Sequence, residues 1–109
     1  EVPLEAIAWG RSGDKGNKAN IGIIARHRNL LPYIWDTFSE EKIVEIFSHF
    51  LENDRIDRHY LPGISGVNYV LHDVLGGGGT TSLRNDPQGK GYAQILLSCK
   101  ISVPKNLLV

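Results

Sequence analysis

The segment 93–103 constrains the fold most strongly, because apolar and polar residues alternate along it. Such alternation predicts a β-strand with one buried face and one face in solvent. It favours a sheet covered by helices on one side only, since a sheet covered on both sides is more uniformly apolar. Leu96 interrupts the polar face and suggests that a partner covers this surface. The apolar positions are Ala93, Ile95, Leu97, Cys99, Ile101 and Val103, and the polar ones are Gln94, Ser98, Lys100 and Ser102.

Three further strands are predicted upstream of this segment. Leu4–Trp9 follows Pro3, and Ile21–Ala25 is rich in β-branched residues. Ile56–Leu61 is more polar and stops at a Pro-Gly pair, which indicates a strand at the edge of the sheet.

Three helices are predicted from apolar residues spaced three and four positions apart. The first helix carries Leu31, Ile34, Trp35 and Phe38 on one side. Ser39 is then a suitable N-cap for a second helix with two glutamates in its first turn. A third helix is predicted from Val67 to Val74, because Val67, Val70, Leu71 and Val74 follow helical spacing.

The predicted order is strand, strand, helix, helix, strand, helix, strand. It corresponds to an α+β two-layer sandwich, ferredoxin-like, with a mainly antiparallel sheet and helices on one face. The length of 109 residues predicts a single domain over residues 1–109. If the first and last strands pair antiparallel, residues 10–17 approach residues 76–90.

Composition excludes several classes of function. The formal net charge is zero, and the polar face of the predicted last strand has no aromatic residue, so neither a general nucleic-acid surface nor an RNA-binding sheet is expected. Four scattered histidines and one cysteine favour neither a metal site nor a disulfide. The single cysteine makes a reducing, cytoplasmic setting the expected one. No apolar run is long enough to span a bilayer, and the amino terminus lacks the pattern of a signal peptide, so we expect a soluble protein.

The glycine-rich segment 11–17 lies between the first two predicted strands and reads as a loop. Its glycines let backbone N–H groups approach a ligand, and its cationic and amide side chains suit an anion. A solvated hairpin loop explains the same residues through their turn preferences. Both interpretations remain open from the sequence.

A second glycine-rich segment, 76–90, contains four consecutive glycines. Such a run is costly in backbone entropy, and close approach to a ligand, a flexible lid or a tight subunit contact would each explain it. Neither segment matches a nucleotide-binding loop, so no cofactor is expected. The residues predicted to bind an anion are Arg11, Ser12, Gly13, Asp14, Lys15, Gly16, Asn17, Asn20, Gly77, Gly78, Gly79, Thr80, Arg84 and Lys90.

No catalytic residue is established by the sequence. His72 is a candidate acid or base on the predicted third helix, although the sequence favours an exposed helix residue without a catalytic role. Ser12 and Asp14 are weaker candidates, because Ser12 has no evident base partner and Asp14 suits a surface ion pair.

The ordered motifs of the chain resemble the small ferredoxin-like domain of the acyclic terpene utilisation protein AtuA family. The resemblance covers nearly the whole chain and rests on the spacing of the motifs more than on any one of them. Its motifs are Arg11–Asn17, Ala19–Gly22, Leu61–Gly63, Leu75–Thr80, Ser82–Arg84 and Asp86–Lys90.

The resemblance implies a role in bacterial catabolism of terpenoids such as citronellol and geraniol, whose intermediates are carried as coenzyme A thioesters. It brings no catalytic residues to carry over. The implied ligand is an acyl-CoA or a carboxylate held between the two glycine-rich segments. The implied partners are a second copy of the chain or the larger AtuA-family protein, which makes a noncatalytic assembly or docking module the alternative.

Overall fold

Two antiparallel hairpins form the central sheet of the protein. The computed structural model describes residues 1–15, 18–48, 51, 55–72 and 90–107. The four strands of this sheet lie in the order β2-β3-β5-β4, and β1 pairs with β6 in a separate two-stranded sheet. The strands are β1 (Val2–Pro3), β2 (Ala8–Lys15), β3 (Lys18–Ala25), β4 (Ile56–Leu61), β5 (Gly66–Leu71) and β6 (Lys100–Ile101).

Three described helices cover one face of this sheet: α1 (Leu31–Thr37), α2 (Glu40–Phe47) and α3 (Lys90–Leu97). Ser39 caps α2, because its side-chain oxygen accepts a hydrogen bond from the Lys42 N–H at 3.2 Å. The predicted helices at Leu31 and Ser39 are therefore confirmed. The α+β sandwich, with an antiparallel sheet and helices on one face, is confirmed as well.

The core lies between these helices and the inner face of the sheet. Alternate residues of β3 and β5 point into it, and Ile21, Val67, Tyr69 and Leu71 are almost fully buried. The Tyr69 hydroxyl donates a hydrogen bond to the Phe38 carbonyl oxygen at 2.8 Å. Burial raises the pKa of Tyr69 well above its ordinary value.

The Arg58 side chain links the edge strand β4 to the adjoining helices α1 and α2. Its guanidinium donates to the carbonyl oxygens of Trp35 and Phe38 and lies over the Trp35 ring. It also pairs with Glu40 at the start of α2, at 3.3 Å. The prediction of an edge strand at Ile56–Leu61 is confirmed. The contacts of Arg58 with the helices explain why this strand carries a partly buried arginine.

The first predicted strand and the first predicted loop are wrong in their bounds. Leu4–Ala6 forms a 3-10 turn, and β2 continues through the supposed loop as far as Lys15. Gly10 does not serve a turn: a Cβ there would lie 3.0 Å from side-chain atoms of Ile23 and Leu97. Its missing side chain lets α3 pack closely on β2.

The predicted third helix is wrong, because Gly66–Leu71 is the strand β5. Val67, Tyr69 and Leu71 are buried, and β-branched and aromatic residues favour a strand. The helical spacing of the valines was coincidental. Residues 73 and 74, the end of the predicted helix, lie outside the described residues.

The predicted last strand is also wrong over most of its length. Lys90–Leu97 is helix α3, and only Lys100–Ile101 is a strand. Tyr92, Ala93, Leu96 and Leu97 are buried at the spacing of one helix face. Leu96 therefore faces the core, and the prediction that it marks an outer surface covered by a partner is wrong.

The expected antiparallel pairing of Leu4–Trp9 with the last strand is wrong, because Ala8 and Trp9 belong to β2 and pair with β3. The strands that pair near the two ends of the fold are β1 and β6, over two residues each. Val2 lies opposite Ile101 and Pro3 opposite Lys100. The Leu4 N–H extends this ladder by donating to the Cys99 carbonyl oxygen at 2.8 Å. Cys99 is a free cysteine, and partial burial raises the pKa of its thiol.

Among the described helices, none is long and apolar enough to cross a membrane.

Candidate functional site

The face of the central sheet opposite the helices carries an open groove with a volume of about 750 Å³. We call this face the open face. The strand register identifies the residues of this face. Every second residue of a strand points to the same face, and residues directly opposite each other in neighbouring strands also share a face. The register gives three successive cross-strand rows: Trp9–Ile24–Gly66–Leu61, Arg11–Gly22–Asn68–His59 and Gly13–Asn20–Val70–Asp57.

Three glycines create the floor of this groove. A Cβ on Gly22 would meet only ordinary contacts, the nearest being the Arg11 carbonyl oxygen at 3.8 Å and Asn68 Oδ1 at 3.9 Å. A Cβ on Gly13 would lie 3.6 Å from Asn20 Oδ1. A Cβ on Gly66 is more crowded, at 3.1 Å from a backbone oxygen and 3.3 Å from Ile64. Because these positions lack side chains, neighbouring side chains stand as walls around a depression.

One end of the groove is apolar. The row that contains Ile24 and Leu61 lies there, and Ile64 follows in the 3-10 turn Pro62–Ile64. Ile64 is 58% exposed, and Trp9 in the same row is 54% exposed. Arg26 lies over the Trp9 ring, with its guanidinium carbon 4.6 Å from the ring centroid. This end therefore offers apolar surface to a ligand or to a protein.

The middle row supplies polar groups and positive charge. Arg11 is exposed and lines the groove with Asn68 and His59, and no carboxylate lines it among the described residues. Arg11 has no ion-pair partner in the described part of the chain. An arginine without a competing carboxylate is suited to bind an anionic group of a ligand.

Asp57, in the last row of the open face, forms a hydrogen-bonded pair with His72. His72 Nε2 and Asp57 Oδ2 are 2.7 Å apart, and this hydrogen bond lowers the pKa of the Asp57 carboxyl. His72 is buried directly after β5, and its N–H donates to the Arg55 carbonyl oxygen. The expectation that His72 lies exposed on a helix is wrong.

Ser12 joins the sheet to α3. It is buried, and its side-chain oxygen accepts a hydrogen bond from the Ala93 N–H at 3.2 Å. This contact brings the start of α3 beside the strand that bears Arg11. The Ser12 hydroxyl, which is buried on β2, is thereby paired with a backbone N–H at the start of α3 and contributes to packing of this helix on the strand.

The groove brings together four of the residues that the sequence predicts: Arg11, Ser12, Gly13 and Asn20. Lys90 begins α3, while the side chains of Asp14, Lys15 and Lys90 are outside what the structure describes. Also outside the described residues are Gly16, Asn17, Gly77, Gly78, Gly79, Thr80 and Arg84.

Sequence reasoning missed the half of the groove that β4 and β5 supply. His59 and Leu61 alternate with the inward side chains of β4, and that alternation was visible in the sequence. Gly66 and Asn68 are missed because the spacing of the apolar residues around them predicts a helix in place of strand β5. The lining residues absent from the prediction are Gly22, Ile24, His59, Leu61, Ile64, Gly66 and Asn68, with Ile23 and Val67.

A comparison with protein families decides the relationship that the motifs suggest. The family model of the AtuA ferredoxin-like domain matches residues 2–102, which is nearly the whole chain. The chain belongs to this family. No curated protein and no solved structure matches it. In this AtuA ferredoxin-like domain, every described part of the groove lies within the matched residues.

Proposed function

We propose that this domain binds an anionic acyl compound, a carboxylate or an acyl-CoA, on its open face. The observation that carries the proposal is the groove in which Arg11 and two asparagines adjoin an apolar end. Its volume of about 750 Å³ falls within the range of small-molecule sites. Binding is the whole of the proposed activity, and no chemical step is assigned to it.

The proposed setting is terpenoid or related acyl catabolism in the cytoplasm. Membership of the AtuA family supports this setting, since acyclic terpene breakdown passes through branched acids and their thioesters. The sole cysteine, which is free and partly buried, agrees with a reducing compartment. The sequence predicts an anion site in a loop, whereas the site that we propose lies on the surface of the sheet.

Isothermal titration calorimetry tests this proposal. The probes are citronellate and its coenzyme A thioester, with free coenzyme A as the compound that lacks an acyl chain. We expect at least one acyl probe to bind, and Arg11→Ala to weaken that binding about tenfold or more, because a charge-assisted hydrogen bond is lost.

Arg28→Ala is the matched control, since Arg28 is exposed in the 3-10 turn before α1 and does not line the groove. It should bind like the unaltered protein. The proposal fails if neither acyl probe binds, or if both arginine variants weaken binding equally.

A second candidate function is docking of a protein on the same face. The exposed Trp9 and Ile64 favour it, because large apolar side chains on an open sheet commonly mark a contact surface. The occupant would be a second copy or the larger AtuA-family protein. Light scattering of the purified chain, alone and mixed with that protein, tests this function. We expect a complex that Trp9→Ser and Ile64→Ser weaken, and a monomer in both conditions would exclude docking.

A further inference from the structure

The floor of the groove runs diagonally across the sheet. Gly13 is on β2 in the last row, Gly22 is on β3 in the middle row, and Gly66 is on β5 in the first row. Each step crosses one strand and advances two residues, which is about 8 Å. The three positions therefore define a depression about 16 Å long. A ligand that lies in it must be narrow and extended.

The two ends of this depression differ in chemistry. The Gly13 end has Arg11 and Asn20 as neighbours, and Asn68 adds an amide beside Gly22. The Gly66 end has Ile24, Leu61 and Ile64. Polar groups that can hydrogen-bond an anion thus lie within about 8 Å of apolar walls that cannot.

We infer that the ligand is a free carboxylic acid of medium chain length, bound with its carboxylate at Arg11 and Asn68 and its chain directed toward Gly66. The inference rests on the proposed function and selects between its two ligand classes. In a carboxylate the charge is directly attached to the apolar chain. In an acyl-CoA the charged phosphates are separated from the acyl group by the long pantetheine arm, which the short distance between the polar and apolar ends does not match.

Chain length and orientation give the first test, by calorimetry with butanoate, octanoate and octanoyl-CoA. We expect octanoate to bind more tightly than butanoate, by about two- to fourfold for each methylene that reaches the apolar end. Octanoyl-CoA should bind more weakly than octanoate. Tighter binding of the thioester, or equal binding of the two acids, would overturn the inference and leave the proposed function intact. Binding of none of the three would contradict both.

Two variants separate the head of the ligand from its chain. Arg11→Ala should weaken butanoate and octanoate by a similar factor, because both lose the same ionic contact. Ile64→Ser should weaken octanoate alone. Tyr33→Ser is the control for Ile64→Ser, since Tyr33 is an exposed apolar residue on α1, which covers the other face. Equal loss of both acids in Ile64→Ser would overturn the orientation.

Gly22→Val blocks the depression at its middle. The valine fits the strand, since a Cβ there meets only ordinary contacts, and valine is favoured in strands. We expect loss of octanoate binding with the thermal midpoint retained. Gly63→Val is the matched control, because Gly63 has open space around it and does not line the groove. Unchanged octanoate binding in Gly22→Val would overturn the inference.

Discussion

The two faces of the central sheet are made by alternate residues of the same strands, yet they have opposite properties. The inner face is filled by aromatic and branched side chains that three helices cover, and Tyr69 and Leu71 have no exposed surface. The open face holds glycines, asparagines and isolated apolar residues around a groove. The stabilising core and the proposed binding groove are thereby on opposite faces of one sheet. Substitutions on the two faces should consequently affect different measurements.

Leucine truncation should show the largest contrast in stability between the two faces. Leu96→Ala removes a fully buried side chain of α3 and should lower the free energy of unfolding by about 2–5 kcal/mol. Leu61→Ala removes a side chain that is 39% exposed on the open face, and should cost less than about 1 kcal/mol. Urea denaturation measures both values. Similar losses in the two variants would contradict the division between faces.

Glycine replacement should give the next largest contrast. A Cβ on Gly10 would lie 3.0 Å from Leu97 and Ile23 atoms, so Gly10→Ala should destabilise the fold by about 1–3 kcal/mol through overpacking. Gly22→Ala introduces only ordinary contacts and should leave the free energy of unfolding unchanged or slightly raised. Thermal denaturation of both variants provides the comparison. A stable Gly10→Ala variant would show that α3 can move away from β2 without cost.

Removing a buried hydroxyl should have a smaller effect. Tyr69→Phe deletes the hydrogen bond to the Phe38 carbonyl oxygen and should lower the free energy of unfolding by about 1 kcal/mol. Tyr60→Phe serves as the control, because Tyr60 is largely exposed at the edge of the sheet and its hydroxyl can bond water. If both variants unfold at the same denaturant concentration, the buried hydrogen bond contributes nothing.

The hydrogen-bonded pair of Asp57 and His72 should produce the smallest effect, visible only as a pH dependence. The pKa of Asp57 is lowered by its hydrogen bond to His72, so its contribution to stability is present above the ordinary aspartate pKa and is lost as the pH falls through the lowered value. Asp57→Asn should melt below the unaltered protein at neutral pH and approach it in acid. The exposed carboxylate keeps this difference small.

Asp36→Asn is the control for this measurement, since Asp36 is an exposed aspartate on α1. Its thermal midpoint should follow that of the unaltered protein at every pH. If the thermal midpoint of Asp57→Asn differed from that of the unaltered protein by the same amount at every acid pH, the hydrogen-bonded pair would be excluded as the cause.

The sequence predicted those elements in which local signals and packing agree. Ser39 caps a helix because its own side chain bonds the first turn, and residues 56–61 indicate an edge strand because charged side chains occur on both faces and a Pro-Gly pair follows. Leu96 and Val67 were misplaced because short apolar runs satisfy both helical and strand spacing. Their position was decided by contacts with strands and helices distant in the chain, which no local pattern contains.

The candidate site was predictable on one hairpin and hidden on the other. Arg11, Gly13 and Asn20 attracted attention because charge and glycine are unusual between apolar segments. Asn68 and Leu61 look like ordinary strand residues, and they join the groove only through the register of β5 with its two neighbours. A surface made by four strands becomes visible only when their pairing is known.

The ladder between Val2–Pro3 and Lys100–Ile101 brings both ends of the fold to one place. Termini that meet are the usual condition under which a folded unit tolerates insertion into a host protein or rejoining of its ends. Entry and exit of the polypeptide at a common point would leave the sheet, its groove and its helices undisturbed. A host protein could therefore carry this fold as an insertion that leaves the groove of the open face intact.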